Sequence, residues 1–165
     1  QFEKLLNSKI PNYDRKFYEL LNDFMLDLYI EPGRALLDQA GVTLTKVIFT
    51  KKSIQGEDLI AIDANKFSLY STEQEMMIDP VLLSNQNINK QGSGFIVGNL
   101  CLESDLIYKH KTFFEQMPET DDILAFINTA AYNMDFAENK AIHHETAKKI
   151  VVRKDDNKFK IKKDK

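Results

Sequence analysis

Apolar residues near the start of the chain recur at helical spacing. Tyr13, Phe17, Leu20, Leu21, Phe24 and Leu28 stand three or four apart and predict one amphipathic helix. Asn12 or Asp14 is placed to cap its start. Leu26 to Ile30 is a short apolar run that leads straight into Glu31-Pro32-Gly33-Arg34. Pro32 disfavours helical geometry at Glu31, which predicts a strand end or turn there. Ala35 to Ala40 predicts one or two helical turns, closed by Gly41.

From Val42 the pattern changes. Val42 to Thr50 is β-branched-rich, and Leu59 to Ile62, Gly94 to Val97, Ile123 to Ile127 and Ile150 to Val152 are further short apolar runs. Phe159 and Ile161 alternate with lysines. Short strands between polar connections predict a mainly β domain. Ser84 to Ser93 reads as an exposed loop, and Pro118 to Asp122 as a turn. Met76-Met77 and Phe113-Phe114 read as core. A boundary falls near residue 41: a helix and a strand that cannot bury their own stripe, then a β-rich remainder. No internal repeat is evident.

Composition narrows the classes. Of 165 residues, 43% are hydrophobic and 28% charged, with six Gly and four Pro, which excludes wholesale disorder and collagen-like chains. The single cysteine, Cys101, excludes an internal disulfide framework and a multi-cysteine zinc site. A formal charge of −3 argues against a cationic nucleic-acid binder. No apolar run approaches the roughly 20 residues that span a bilayer, and Gln1 to Asn12 does not read as a signal peptide. A cytoplasmic domain is the expectation, with neither nucleic acid nor membrane as partner. The absence of an initiator Met raises the expectation of a fragment.

Several positions offer chemistry, each beside a plainer reading. Glu31-Pro32-Gly33-Arg34 would present a carboxylate and a guanidinium at a strand's C-terminal edge, where α/β folds bind ligands. Arg34 suits a phosphate or carboxylate, and Gly33 permits close backbone approach. The plainer reading is a turn with a surface ion pair. Cys101 lies in Gly98-Asn99-Leu100-Cys101-Leu102-Glu103-Ser104-Asp105, as a thiol acid/base beside two carboxylates that face substrate, or as a buried cysteine. Small residues before Tyr132 in Asn128-Thr129-Ala130-Ala131-Tyr132 either project a phenol into a site or pack a core tyrosine. His143 and His144 point to opposite faces if on a strand, so no metal site is expected. The tail from Arg153 to Lys165 is rich in basic residues, holds aspartates and reads as a solvated strand with a frayed end.

EPGR, then a β-rich stretch, then GNLC-LESD, then TAAY resembles the fold-type III pyridoxal-phosphate decarboxylases, the group of the diaminopimelate, ornithine and arginine enzymes. The resemblance runs from about residue 14 to residue 153. Val42 to Val47, Leu59 to Asn65 and Ile78-Asp79-Pro80-Val81-Leu82 resemble that group's entry into its C-terminal β domain, its next strand and its following loop. CLESD and NTAAYNMDF are similar to a Y4yA-like branch. The resemblance implies a β-barrel or sandwich domain over 42–165. It makes 1–41 the last helix and strand of a (β/α)8 barrel.

The resemblance also implies an activity: loss of an α-carboxylate from an amino acid held as an aldimine of pyridoxal 5′-phosphate. Glu31 then faces the pyridine nitrogen, which strengthens the ring as an electron sink. Gly33 and Arg34 lie near the cofactor phosphate or substrate carboxylate. Cys101 reaches into a partner subunit's site and donates a proton, and Tyr132 contacts cofactor phosphate and substrate. A homodimer with composite sites follows.

Two departures stand out. Leu102 follows the cysteine where the diaminopimelate enzymes carry an acid that holds the distal end of the substrate, so either Glu103 takes that role through a local bulge or the distal group differs. Ala130 or Ala131 replaces the glycine of a GAY motif, and alanine tolerates a positive φ poorly. No cofactor lysine or glycine-rich phosphate loop is recognisable, so the isolated chain is expected to be inactive. The alternatives are a non-catalytic decarboxylase-like protein that regulates a paralogue as a heterodimer, and racemisation, as in the neighbouring alanine racemase group.

Overall fold

The computed structural model describes residues 2–69, 78–84, 90–130, 132–135, 143–156 and 158–163. Met76, Met77 and most of the expected 84–93 loop lie outside the described residues. The chain divides into two compact units, Gln1–Leu36 and Leu37–Lys165.

The first unit holds two short helices, α1 (Phe2–Leu6) and α2 (Phe17–Asp23). The stripe from Tyr13 to Leu28 therefore forms a helix only in its middle. Neither Asn12 nor Asp14 caps it. Asn12 sits in the left-handed region at φ 68°, and Asp14 accepts from Lys9 Nζ at 2.6 Å. Instead the Lys16 N–H donates to Glu19 Oε2 at 2.8 Å, the back half of a capping box.

The helix stops early for a local reason. Met25 takes φ 49°. The Leu26 N–H donates to the Leu21 carbonyl at 2.8 Å, and the Met25 N–H to the Asn22 carbonyl at 3.1 Å, the pair of bonds of a Schellman cap. Beyond it, residues 26–33 pair with no strand among the described residues, contrary to the expected barrel strand. A strand exists only through a neighbour's ladder, and this unit offers none. Phe24, Met25, Leu26, Tyr29 and Ile30 are exposed.

The second unit is mainly β. A 3₁₀ turn at Arg34–Leu36, the last residues of the first unit, stands where helical turns were expected over 35–40. Strands β1 (Val42–Lys52), β2 (Asp58–Ile62), β3 (Val81–Leu83), β4 (Gly92–Val97), β5 (Thr112–Phe114) and β6 (Ile123–Ile127) form one sheet in the order β3-β6-β1-β2-β4-β5. Only β2 and β4 run parallel among these pairs. The long strand β1 serves both halves: Val42–Lys46 pair with β6, and Val47–Lys52 with β2. An irregularity between Val47 and Phe49 bends it, which curls the sheet into a nearly closed barrel. The core is Val47, Ile60, Ile62, Leu69, Ile96 and Phe126, with Ile107, Tyr108, Phe114 and Leu124. Phe114 is buried as expected, but Phe113 on the opposite face of β5 is exposed.

Side chains tie together the segments that lead into the two edge strands. Tyr108 Oη donates to the Ile78 carbonyl at 3.0 Å, just before β3. His110 Nε2 meets Asp79 Oδ1 at 2.8 Å, just before β5. Burial, and secondarily the charge of Asp79, push the Tyr108 phenol well above its ordinary range, so it stays a donor. A separate hairpin follows α3 (Tyr132–Asp135): among the described residues, β7 (Ile150–Asp155) and β8 (Lys158–Lys163) pair only with each other. No helix among the described residues is long and apolar enough to cross a membrane.

Candidate active site

The loop that carries Cys101 leaves β4 and returns through an isolated bridge between Val97 and Leu106. Its organiser is Asp105, 3% exposed. Asp105 Oδ2 accepts the Leu100 N–H at 2.9 Å, and Oδ1 accepts the Lys66 N–H at 2.8 Å. The Gly98 N–H donates to the Asp105 carbonyl at 2.9 Å, and the Asp105 N–H to the Leu102 carbonyl at 3.0 Å. A Cβ at Gly98 would run into the Asp105 carboxylate, so the glycine is required by close approach. A buried carboxylate is tolerated because amide donors replace water.

Cys101 sits at the outer end of this loop and is exposed, which removes the buried-cysteine reading. Leu102 and Glu103 are exposed beside it. Asp105, one of the two carboxylates that one reading turned toward substrate, faces inward. Lys66 Nζ reaches Ser104 Oγ at 2.9 Å.

The loop rests on the turn at 65–69. Asn65, 1% exposed, folds that turn: its Oδ1 accepts the Phe67 and Ser68 N–H groups at 3.0 and 2.9 Å. Its Nδ2 donates to Asn99 Oδ1 at 3.3 Å, and the Asn99 N–H donates to the Ala64 carbonyl at 3.0 Å. At the far end of the turn, the Leu69 carbonyl accepts Asn133 Nδ2 at 3.0 Å. Asn133 is the second residue of α3, directly after Tyr132.

The segment before Tyr132 is fixed from another side. The Thr129 N–H donates to the Gly41 carbonyl at 3.0 Å, and Thr43 Oγ1 to Thr129 Oγ1 at 2.8 Å. A Cβ on Gly41 would collide with the Ala130 backbone. The left-handed residue here is Asn128, at φ 60°, not Ala130, so alanine at 130 carries no positive-φ penalty. Ala131 and the Tyr132 side chain lie outside the described residues. Glu31, Gly33 and Arg34 belong to the other compact unit, where Glu31, Pro32 and Gly33 are exposed. The Arg34 side chain also lies outside the described residues. His143 is exposed at φ 58°, and no cluster of metal-ligating side chains occurs among the described residues.

Over residues 14–130 the chain matches the family described as pyridoxal-dependent decarboxylase, C-terminal sheet domain. The chain belongs to that family. It forms the sheet domain, as the motif order led one to expect. It is 31% identical over 135 residues to the uncharacterized protein y4yA of Sinorhizobium fredii, covering 79% of this chain and 30% of that protein. It is 30% identical over 118 residues to a diaminopimelate decarboxylase of Staphylococcus aureus, covering 68% of this chain and 27% of the enzyme. The chain thus spans less than a third of the length of these relatives.

Solved structures agree on the fold. A Helicobacter pylori diaminopimelate decarboxylase complexed with L-lysine superposes with a TM-score of 0.61 at 19% identity, covering 90% of this chain and 36% of that one. A Paramecium bursaria Chlorella virus arginine decarboxylase gives 0.62 at 19%, covering 79% and 36%. The sheet domain's least legible parts were Gly41, Asn65, Gly98, Asp105 and Asn133. The glycine after a strand and the acid four residues past Cys101 were the available signals.

Proposed function

We propose that this sheet domain supplies the cysteine-loop part of the active site of an amino-acid decarboxylase that uses pyridoxal 5′-phosphate. The observation that carries the reading is Cys101 held exposed at the end of a loop pinned by a buried carboxylate, in a chain of the pyridoxal-dependent decarboxylase family. An exposed thiol on a fixed backbone fits the neighbourhood of such a cofactor. Bound there, pyridoxal phosphate supplies the electron sink for the pair left when the α-carboxylate departs as carbon dioxide. Cys101 then delivers a proton to that carbon across the interface of a homodimer. Glu31 would keep a proton on the pyridine nitrogen, Gly33 and Arg34 would lie near the cofactor phosphate or the substrate carboxylate, and Tyr132 would contact the phosphate. Arg34 and Tyr132 would also contact the substrate. Glu103, beside Leu102, reads the distal end of the substrate.

Two consequences are measurable in the full-length protein. Cys101→Ala lowers turnover by about 100-fold or more, the range expected for a lost general acid, and scrambles the configuration of deuterium taken up from D2O. Normal turnover with an unchanged product removes Cys101 from the role. The 165-residue chain, assayed alone with added cofactor, shows no turnover.

A further inference from the structure

Two pieces of the candidate site, far apart in sequence, are fastened to one small turn. From one side the Cys101 loop is tied to residues 64–69 through Ala64, Asn65 and Lys66: the Asn99 N–H to the Ala64 carbonyl, Asn65 Nδ2 to Asn99, and the Lys66 N–H to Asp105. From the other side Asn133, 2% exposed, hydrogen-bonds the Leu69 carbonyl and so ties down the helix that Tyr132 opens. Asp105 is the carboxylate that spans loop and turn, with one oxygen on each. Gly98 leaves its space open.

We infer that Asp105 is a positioning residue: with the 65–69 turn as common anchor, it holds the Cys101 loop and the Tyr132 helix in one frame. This rests on the reading of Cys101 and Tyr132 as site residues, but the frame itself is testable without turnover. Asn in place of Asp105 keeps the volume yet turns one acceptor oxygen into a donor that faces an amide N–H. Either the loop or the turn is then released.

The experiment uses the 165-residue chain. Its sole cysteine allows a trifluoromethyl tag to be placed at Cys101 alone, read by fluorine NMR beside amide hydrogen exchange. The unsubstituted chain gives one narrow fluorine signal and a protected Leu100 amide. In D105N the signal broadens or splits, and Leu100 exchanges about tenfold faster or more, as expected for one lost charged hydrogen bond. Amides of Ile60 and Ile96 in the core keep their protection. The amides of Asn133 and Met134 also lose protection in D105N, which a purely local loop effect would not cause.

An unchanged fluorine signal and unchanged Leu100 exchange in D105N overturn the inference. So does an effect that stops at the loop. Should D105N fail to fold, Asn99→Ala at an exposed position decides by the same readouts: a smaller change of the same sign is expected, and none overturns the shared anchor. Failure of Cys101→Ala to affect turnover would instead sink the proposed function while leaving the frame standing.

Discussion

The six-stranded sheet and the β7–β8 hairpin are built from similar sequence but meet different fates. Both have paired strands and alternating apolar residues. In the barrel, Phe126 is 1% exposed, while in the hairpin Phe159 and Ile161 are each 69% exposed. The hairpin's register sets Ile150, Val152, Phe159 and Ile161 on one face, flanked by Lys154 and Lys163, and Val151, Arg153, Asp155, Lys158, Lys160 and Lys162 on the other. It is amphipathic, yet among the described residues its apolar face has no extensive contact with another element. Alternation therefore specifies a face, and only a second layer converts that face into stability; a lone hairpin is marginal in water.

Three measurements sharpen or break the contrast. The largest effect belongs to the barrel. Phe126→Ala empties the centre of the core and should lower unfolding stability by about 3–5 kcal/mol, seen as a lower denaturant midpoint. A cost near zero would mean that the barrel is no better packed than the hairpin.

The second concerns the joint between the edge-strand lead-ins. Tyr108→Phe leaves the Ile78 carbonyl unpaired and should cost about 1 kcal/mol at neutral pH. Because the native phenol holds its proton more tightly than the unfolded one, its contribution is complete below the ordinary phenol range. It is lost as pH rises above about 10. The gap in melting temperature between the two proteins should therefore narrow from pH 8 to 11, and a constant gap would remove Tyr108 from the joint.

The smallest effect is expected in the hairpin. Removing residues 150–165 should change the stability of the barrel by no more than about 0.5 kcal/mol, as for surface changes without buried partners. A loss comparable to that of Phe126→Ala would show that the hairpin is an integral layer.

The same division explains what could be read in advance. Strands β1, β2, β4 and β6 were legible because each buries a continuous or alternating apolar run. The three-residue strands β3 and β5 were not: so short a segment shows no period, and each forms because an existing edge offers a ladder. The helical stripe was overextended because spacing records which residues share a face. It does not record that Met25 would adopt a left-handed cap.

Motif order and apolar pattern were enough for the mainly β class, the family and the choice of Cys101 as the residue to watch, since these depend on residue types along the chain. Spacing alone left Cys101 between buried and exposed, and it did not reveal the inward turn of Asp105. Those outcomes turn on amide groups such as that of Lys66, 39 residues from Asp105 along the chain. A carboxylate becomes a loop's inner brace only when folding brings its donors to it and takes the water away. That is a property of the assembled barrel, and no window of sequence around Asp105 contains it.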